Sequence, residues 1–309
     1  MPTVADVKPL DEVLAAVTLG APLTHGALTV VPLLAPGRPE PDWLTLAEAG
    51  DAVAVTEVSE AGAVPTLRVT NASDRPVLLL DGEELIGAKQ NRVLNTTVLV
   101  AAQSTTTIPV SCVEAGRWAY RTRRFAASAH SLFASIRRKK ALRVSASLKV
   151  GAGHVADQDE VWDELAATAA RHLVKSPTGA MHDVYDHYEE EIEEGRRAVG
   201  ARPGQLGALV YVGGAWAGLE LLAAPGLFGR AWPRLCTGYL ADAIGVAPGA
   251  AVTPTVAEVL AAVATAAIEQ APAAGLGVEY RLEGRITGAA LAVDHRLAHL
   301  MAFPGVSSR

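Results

Sequence analysis

The sequence predicts an α+β protein, because strand-like and helix-like segments occur in separate blocks along the chain. The first part contains short runs rich in valine, threonine, leucine and isoleucine. The middle contains long segments with helical periodicity, and the last part returns to strand-like runs. Neither a GxGxxG nor a Walker A sequence is present. We therefore expect blocks of antiparallel strands and helices instead of a regular alternation of the two.

Residues 1–125 are predicted to form a β-rich, sandwich-like part. Short runs of β-branched and aliphatic residues are separated there by Gly, Pro, Asn, Asp or Ser, the residues that favour turns. The runs are GALTVVPLL, DAVAVTEVS, TLRVTN, PVLLL, TVLVAA and TTTIPVSCV. Several short strands at this spacing are typical of sandwiches and of strongly twisted antiparallel sheets.

Residues 126–204 are predicted to be helical, basic at first and then acidic. Asp157 or Asp159 can cap a helix whose apolar face carries a tryptophan, two leucines and an alanine. Those four residues are Trp162, Leu165, Ala169 and Leu173. A second helix is expected from about Gly179 to Val199.

Residues 205–309 are predicted to combine antiparallel strands with two helices. A strand, a Gly-Gly turn and a second strand open this part, and helices follow at about 227–245 and 253–270. Three strand-like runs, GVEYRLEG, ITGAALAVD and LAHLMAF, end it. The three parts are also compatible with one compact domain.

Composition restricts the function classes. The chain has 309 residues, 50% of them hydrophobic, and a net charge of −6, so the molecule as a whole does not attract nucleic acid or anionic membranes. Two cysteines, Cys112 and Cys236, are too few for a disulfide framework and fit a reducing compartment. Charged residues interrupt the N-terminal region, and no apolar stretch has the length of a membrane span. We expect a cytoplasmic protein without a membrane or nucleic-acid partner.

The segment LLLDGEELIGAKQNRVLN, at 78–95, places many polar side chains between aliphatic runs. Its Asp-Gly pair predicts a two-residue hairpin turn. Alternation then places Glu83 and Lys89 on one side of the second strand, and Glu84 and Gln90 on the other. One of the two sides should be buried. A carboxylate on the buried side must be paired or must serve a ligand, whereas a solvated hairpin would leave these charges in water.

A C-x4-R motif follows in CVEAGR, formed by Cys112 and Arg117. In a loop between a strand and a helix, this spacing lets backbone amides and an arginine hold an oxyanion around a thiolate. However, Cys112 lies within a predicted strand, Glu114 places an acid in the loop, and no helix is predicted from Trp118. A buried structural cysteine is therefore the alternative interpretation.

Charge is strongly segregated in the middle of the chain. Ten basic residues and no acid occur between Ala115 and Ala156, and twelve acids follow in residues 157–194. The basic residues are Arg117, Arg121, Arg123, Arg124, Arg137, Arg138, Lys139, Lys140, Arg143 and Lys149. Either the two blocks neutralise one another across the fold, or some of the arginines form a phosphate or diphosphate site with Lys89 and Arg92.

The acidic block also contains a spacing suited to metal ligands. His182 and Asp186 are related by i,i+4, which places two side chains on one helix face. Asp183 and His187 repeat this spacing. No motif identifies further ligands, and acid-rich helices are commonly solvated. The sequence therefore requires no metal or other cofactor, and it leaves a divalent metal at this segment as an open alternative.

Four segments taken together resemble one known family. They are LLLDGEELIGAKQNRVLN, IPVSCVEAGRW, GLFGRAWPRLCTGYLADA and HLMAFP, within about residues 20–304. In this combination the chain resembles the ARG and rhodanese-phosphatase-superfamily-associated protein family, which is named for its gene neighbours, ADP-ribosylglycohydrolases and rhodanese-like phosphatases. The resemblance implies a cytoplasmic bacterial or archaeal protein of NAD or ADP-ribose metabolism, with proteins of those two kinds as partners.

The resemblance and the polar segments together predict one ligand site. Glu84 and Glu114 would act as a general base or hold ribose hydroxyls. Lys89, Arg92 and Arg117 would hold a diphosphate. The other expected ligand-binding residues are Glu83, Gln90, Asn91, Cys112 and Trp118.

Three function classes follow from these features. An enzyme would hydrolyse a phosphorylated ribose or ADP-ribose-type nucleotide, with Gln90 or Asn91 orienting the ligand and Trp118 stacking on its base. A binding module would use the same site without a catalytic carboxylate. A module that binds a protein partner would use the charged middle segment instead. A place for Trp118 in the core is equally compatible with the sequence.

Overall fold

A computed structural model describes residues 2–59, 65–249 and 251–305. Its contacts divide the chain into two units. The first comprises Met1–Pro41, Glu193–Ala273 and Gly277–Arg309, and the second comprises Asp42–Ile192 with Ala274–Leu276. The divisions that we predicted after residues 125 and 204 do not coincide with these boundaries. The chain starts the first unit, builds the second, and then returns to complete the first.

Strands and helices occur in blocks, which confirms the predicted α+β class. In chain order the strands are β1 (Thr18–Leu19), β2 (Leu23–His25), β3 (Leu28–Leu34), β4 (Leu44–Thr45), β5 (Val53–Glu57), β6 (Thr66–Asn71), β7 (Val77–Leu79), β8 (Glu83–Gly87), β9 (Arg92–Leu94), β10 (Val98–Val100), β11 (Ser104–Cys112), β12 (Phe125–Ser131), β13 (Gln205–Val212), β14 (Ala215–Leu222), β15 (Ala267–Pro272), β16 (Val278–Glu283), β17 (Ile286–Val293) and β18 (Arg296–Pro304). The helices are α1 (Lys8–Ala16), α2 (Leu46–Ala49), α3 (Ala134–Lys149), α4 (Gln158–Arg171), α5 (His182–His187), α6 (Glu189–Ala198), α7 (Pro225–Ala243) and α8 (Val256–Ala264). Within the described residues, no helix has both the length and the apolar character needed to cross a membrane.

A nine-stranded antiparallel sheet forms the first unit. Its strands lie in the order β1, β3, β13, β14, β18, β17, β16 and β15, and β2 also pairs with β3. The apolar runs of β13 and β17 are buried along almost their whole length, as expected of strands covered on both faces. An apolar core joins this sheet to α1 and α8. The helix α7 packs against β13 and β14, where Tyr239 donates to the buried carboxylate of Glu220 at 2.8 Å.

A closed barrel forms the centre of the second unit. It consists of β11, β6, β5, β12, β8 and β9, in that order, and a small sheet of β10, β7 and β4 accompanies it. Alternate residues of β5 and β6, among them Val55 and Val69, fill a core that also contains Val77 and Val98 of the small sheet. The sandwich that we expected is therefore a barrel with a small additional sheet.

The Asp-Gly turn is present, but the predicted hairpin is wrong. Glu83 N donates to the Leu80 carbonyl at 3.1 Å, and Gly82 has a φ of +79°. The flanking strand β7 pairs with β10 and β4, whereas β8 pairs with β12 and β9. The positive φ occurs at Gly82 and not at Asp81, as in a type II turn, which splays its two flanking strands instead of pairing them.

Buried charges hold this turn against α3. The Asp81 carboxylate is fully buried and accepts hydrogen bonds from Arg137 Nε at 3.1 Å and Lys140 Nζ at 2.5 Å. Lys140 also donates to the Leu94 carbonyl at 2.5 Å. A Cβ atom at Gly82 would lie 2.7 Å from Arg137 Cδ. The turn therefore needs glycine both for its φ and for the close approach of the arginine.

Further residues of the basic block pair with the acidic block between α3 and α4. Arg143 forms two hydrogen bonds with Glu160, at 2.7 and 3.0 Å, and Lys139 binds Glu164. Arg143 and Lys139 are therefore neutralised by the acidic block. Arg137 and Lys140 are neutralised by Asp81 instead. Directly before β12, Arg121, Arg123 and Arg124 are exposed.

Three local predictions in the helical segments differ from the structure. The helix expected at 179–199 is divided into α5 and α6, and the second of these begins with three glutamates, which a helix N-terminus favours. The helix expected at 253–270 ends at Ala264, because β15 pairs with β16 and this long-range pairing overrides local propensity. Leu173 follows α4 and is 87% exposed, so it does not extend the apolar face of that helix.

We predict that Asp81→Ala lowers the free energy of unfolding by about 3–5 kcal/mol, because two buried cations lose their carboxylate. Urea denaturation followed by circular dichroism measures this change. Glu160→Ala removes a more exposed ion pair and is the matched control, with an expected loss below about 1 kcal/mol. Equal losses for the two variants would contradict a special role of Asp81.

Candidate functional site

The hairpin of β8 and β9 carries the predicted polar segment. In its register, Leu85 is opposite Arg92. Glu84 is opposite Val93. Opposed residues of antiparallel strands share a face, and neighbours along a strand do not, so Arg92 and Glu84 lie on opposite faces. The loop between the strands consists of Ala88, Lys89, Gln90 and Asn91. The single site that we predicted is therefore divided, and Lys89 and Gln90 do not take part in strand alternation.

Glu114 and Arg117 form a buried, bidentate ion pair beside this loop. Arg117 Nε donates to Oε1 at 2.9 Å, and Nη2 donates to Oε2 at 2.6 Å. Thr178 Oγ1 and Asn91 N also donate to the Glu114 carboxylate, at 3.1 and 3.2 Å. Burial alone would raise the pKa of Glu114, but the hydrogen bonds from Arg117 and Asn91 lower it below the ordinary value. A carboxylate with a lowered pKa is a weak general base, so the geometry favours a structural role for Glu114.

Arg117 uses its remaining donors within the protein. It donates to the carbonyls of Gly87, Ala88 and Ala119 and to Asn91 Oδ1. With the two bonds to Glu114, these contacts engage all three guanidinium nitrogens. Arg117 therefore fixes the loop, and little of its hydrogen-bonding capacity is left for the diphosphate that we predicted.

Cys112 is a buried thiol at the end of β11, opposite Arg92 of β9. The thiol donates to Gln90 Oε1 at 3.1 Å, and the backbone of Cys112 forms two hydrogen bonds with the Gln158 side chain. Burial raises the pKa of the Cys112 thiol to about 11, although the charge of Arg92 acts in the opposite direction. This environment is that of a structural cysteine, the alternative interpretation of the C-x4-R motif.

Arg92 is fully buried but incompletely hydrogen-bonded. Its Nη1 donates to the carbonyl and to Oε1 of Gln90, at 3.2 and 3.1 Å. Its Nε and Nη2 have no hydrogen-bond partner among the described residues. The nearest carboxylate oxygen, Glu57 Oε1, is 3.8 Å from Nη2, which is beyond hydrogen-bonding distance. Both oxygens of Glu57 are likewise without a hydrogen bond to the described part of the chain.

Glu57 also lines a cavity of about 540 Å³ in the second unit. The lining residues are Thr56, Glu57, Val58, Ser59, Arg68, Tyr120 and Arg123. Arg68 belongs to β6, and Arg123 lies in the segment before β12. The cavity therefore combines one buried carboxylate with two exposed arginines.

Two half-exposed aromatic side chains contact Lys89, and one of them, Tyr120, lines this cavity. Lys89 Nζ lies 5.1 Å from the ring centroids of both Trp118 and Tyr120, and each of these residues is 49% exposed. Arg92 Cζ lies 5.8 Å from the Trp118 ring. These distances are typical of cation–π contacts. Trp118 is therefore a surface residue and not part of the core, and Tyr120 connects the aromatic group to the cavity.

The other face of the hairpin joins Glu84 to α5. Glu84 Oε2 is 3.1 Å from His182 Nδ1, and His182 Nε2 is 3.3 Å from Asp186 Oδ1. The hydrogen bond to Glu84 raises the pKa of His182, and burial opposes this change. The His130 ring lies 5.3 Å from the His182 ring. Because His182 bridges two carboxylates, this arrangement favours a charged imidazolium.

The possible metal ligands are arranged differently from the expected site. Asp183 accepts a hydrogen bond from Ser176 at 2.5 Å, and the His187 ring packs against the Tyr188 ring with centroids 4.7 Å apart. Across the residues that the structure describes, no group of three or more His, Cys, Asp or Glu side chains could hold a metal ion.

Sequence reasoning missed Glu57, although a signal for it exists. In DAVAVTEVS, Glu57 is in phase with Val53 and Val55, so strict alternation assigns it to the buried face of β5. Glu83 was expected to bind a ligand, but its Oε2 accepts from Leu80 N at 3.0 Å and supports the turn. Arg68 and Tyr120 carried no sequence signal, because exposed polar and aromatic residues occur on every protein surface.

We predict that Cys112 resists alkylation in the folded protein. Burial and a pKa near 11 leave almost no thiolate at neutral pH. Mass spectrometry after treatment with iodoacetamide should show no labelled Cys112 in buffer and complete labelling in denaturant. Cys236, whose pKa burial raises to about 12, is the internal control. Rapid native labelling of Cys112 alone would restore the reactive interpretation.

We predict that the His182 contribution to stability is lost as pH rises. The pKa of His182 is higher in the folded chain than the unfolded value of about 6.5, so the contribution is complete below that pH. It disappears as pH passes the folded-state value. The charged groups around the ring are Glu84, Asp183 and Asp186, and His130 is the neighbouring titratable group.

Melting temperatures measured between about pH 5.5 and 8.5 test this linkage. The difference between the native protein and His182→Gln should shrink as pH rises. A difference that is constant across this range would contradict the linkage.

The chain was also compared with known proteins. A model of the ARG and Rhodanese-Phosphatase-superfamily-associated Protein domain matches residues 16–303. No curated protein matches the chain, and no solved structure does so either. The family match includes the hairpin, the cavity and both structural units, and it confirms the resemblance carried by the four sequence segments. The chain belongs to the ARG and Rhodanese-Phosphatase-superfamily-associated Protein family.

Proposed function

We propose that the protein binds a phosphorylated ribose or an ADP-ribose-type nucleotide in the cavity beside Glu57. One observation carries this proposal: the lining of a single cavity includes the buried acid Glu57 together with Arg68 and Arg123. Its volume of about 540 Å³ is within the range of small-molecule sites. The family name, which refers to ARG and rhodanese-phosphatase proteins, supports a ligand from ADP-ribose chemistry.

The two arginines would hold the phosphate. Guanidinium groups bind phosphate through paired, charge-assisted hydrogen bonds. Arg68 Nη2 donates to the Val58 carbonyl at 3.0 Å, which orients this guanidinium at the cavity. Arg123 approaches from the segment before β12, so a phosphate between them would be held from two separate elements.

The aromatic group would receive the base of a nucleotide. Tyr120 lines the cavity, and Trp118 shares with it the contact to Lys89. Exposed aromatic rings offer flat surfaces on which a purine or a nicotinamide ring can stack. Lys89 would then keep its cation–π contacts with the two rings and also attract the negative charge of the ligand.

Hydrolysis of the ligand is a second candidate function, and Glu57 favours it. Glu57 is among the lining residues, and neither of its buried carboxylate oxygens has a hydrogen bond to a described residue. It replaces Glu84, which lies on the other face of the hairpin, and Glu114, which is bound to Arg117, as the candidate general base.

Calorimetric titration with ADP-ribose, AMP, ribose 5-phosphate and inorganic phosphate tests binding. We expect Arg123→Ala to weaken every phosphorylated ligand by about 10- to 100-fold, the effect of one charge-assisted hydrogen bond of about 1.5–3 kcal/mol. Arg124→Ala removes the neighbouring arginine, which is not among the lining residues, and should leave affinity unchanged.

Mass analysis of the same samples tests hydrolysis. Turnover of a bound ligand that disappears in Glu57→Gln would assign catalysis to this cavity. Binding without turnover would leave a binding module. If no phosphorylated ligand binds, or if both arginine variants bind alike, the proposed cavity is wrong and a protein-partner function gains support.

A further inference from the structure

We infer that Arg92 and Glu57 form a hydroxyl-binding subsite that makes the protein select ribose ligands over deoxyribose ligands. The inference rests on the proposed function and specifies what its cavity recognises. It concerns Glu57, which is among the lining residues, and the buried Arg92 beside it, which is not among them.

The distance between the two side chains fits one shared hydroxyl group. Arg92 Nη2 and Glu57 Oε1 are 3.8 Å apart. An oxygen atom placed to one side of the line between them can lie about 2.8 Å from both, which is a normal hydrogen-bond length. A hydroxyl can accept from the guanidinium and donate to the carboxylate at once, and therefore satisfies both buried groups.

In other buried ion pairs of the same unit the charged groups are in direct hydrogen-bond contact, whereas Arg92 and Glu57 are not. Lys140 Nζ is 2.5 Å from Asp81, and Arg117 Nη2 is 2.6 Å from Glu114. Arg92 and Glu57 are buried to a similar degree, but their hydrogen-bonding atoms remain apart. An unsatisfied buried polar group costs about 1–3 kcal/mol, so a ligand group that bonds to both is strongly favoured.

Gln90 holds Arg92 away from Glu57. Its carbonyl and Oε1 both accept from Arg92 Nη1, while its Nε2 donates to the Glu114 carbonyl at 2.9 Å. The glutamine is therefore fixed by the same loop that Arg117 stabilises. We assign Gln90 as a positioning residue, because it acts on the ligand through Arg92.

The chemistry of the pair restricts the ligand class. A phosphate or carboxylate at this point would be repelled by Glu57, and an ammonium group would be repelled by Arg92. A methylene in place of the hydroxyl-bearing carbon would leave both buried groups unpaired, which is the situation in which binding sites discriminate most strongly. The exposed arginines Arg68 and Arg123 take the phosphate, so the hydroxyl end of the ligand is the inner one.

Titration of the native protein with AMP, 2′-deoxy-AMP, 3′-deoxy-AMP and inorganic phosphate tests this subsite. We expect at least one deoxy compound to bind about 10-fold or more weakly than AMP. In Glu57→Gln the ratio of the dissociation constants of that compound and AMP should fall towards one. In Arg123→Ala the affinity for every phosphorylated ligand should fall, and the ratio of the dissociation constants of the deoxy compound and AMP should stay unchanged.

Circular dichroism establishes whether Glu57→Gln is folded. If it is not, Glu57→Asp, which keeps the buried charge but withdraws the carboxylate from Arg92, takes its place with the same expected fall in the ratio. Equal binding of AMP and both deoxy compounds by the native protein would overturn the hydroxyl subsite while leaving the proposed phosphate cavity intact. Failure of every phosphorylated compound to bind would overturn both. A native preference that persists in folded Glu57→Gln would assign the selection to other residues.

Discussion

The buried ion pair of Glu114 and Arg117 is the interaction on which the site region depends. One guanidinium satisfies a carboxylate, three backbone carbonyls and the Asn91 side chain, which a loop without regular secondary structure could not do for itself. Removing Glu114 would leave the Arg117 charge buried, and removing Arg117 would leave the Glu114 charge buried and also release three carbonyls. The loop after β8 and the segment that carries Trp118 are therefore fixed by one interaction.

Two buried ion pairs near this loop differ in the hydrogen bonds that they make. Glu114 and Arg117 are saturated by contacts inside the protein, whereas Arg92 and Glu57 retain unused hydrogen-bonding atoms among the described residues. Both pairs are buried ions of the same type. The two pairs differ in how many of their possible hydrogen bonds are made. The structure shows this difference, whereas amino-acid composition does not.

Much of the fold could be predicted from the sequence, because local patterns report local structure. The six N-terminal runs all contain strands, and Asp157 caps α4 by accepting from Glu160 N at 3.1 Å, as expected. The partners of β7 and β8 could not be predicted, since sheet pairing is set by distant segments. For the site, the sequence left a buried and a solvated polar segment as alternatives, and the structure shows that it is buried. Its division between two faces depends on the β8–β9 register. Glu57 was missed because a single acid within an aliphatic strand is easily taken for an edge residue.

The order of the strands in the first unit has a consequence for how the chain folds. β3 pairs with β13 near one end of the nine-stranded sheet, and the whole segment Asp42–Ile192 lies between them in sequence. This pairing cannot form until that segment has left the ribosome, and it closes a long chain loop when it does. During synthesis β3 is therefore an unpaired, apolar strand edge on one side, and early collapse of the intervening unit would shorten the distance that the two strands must close.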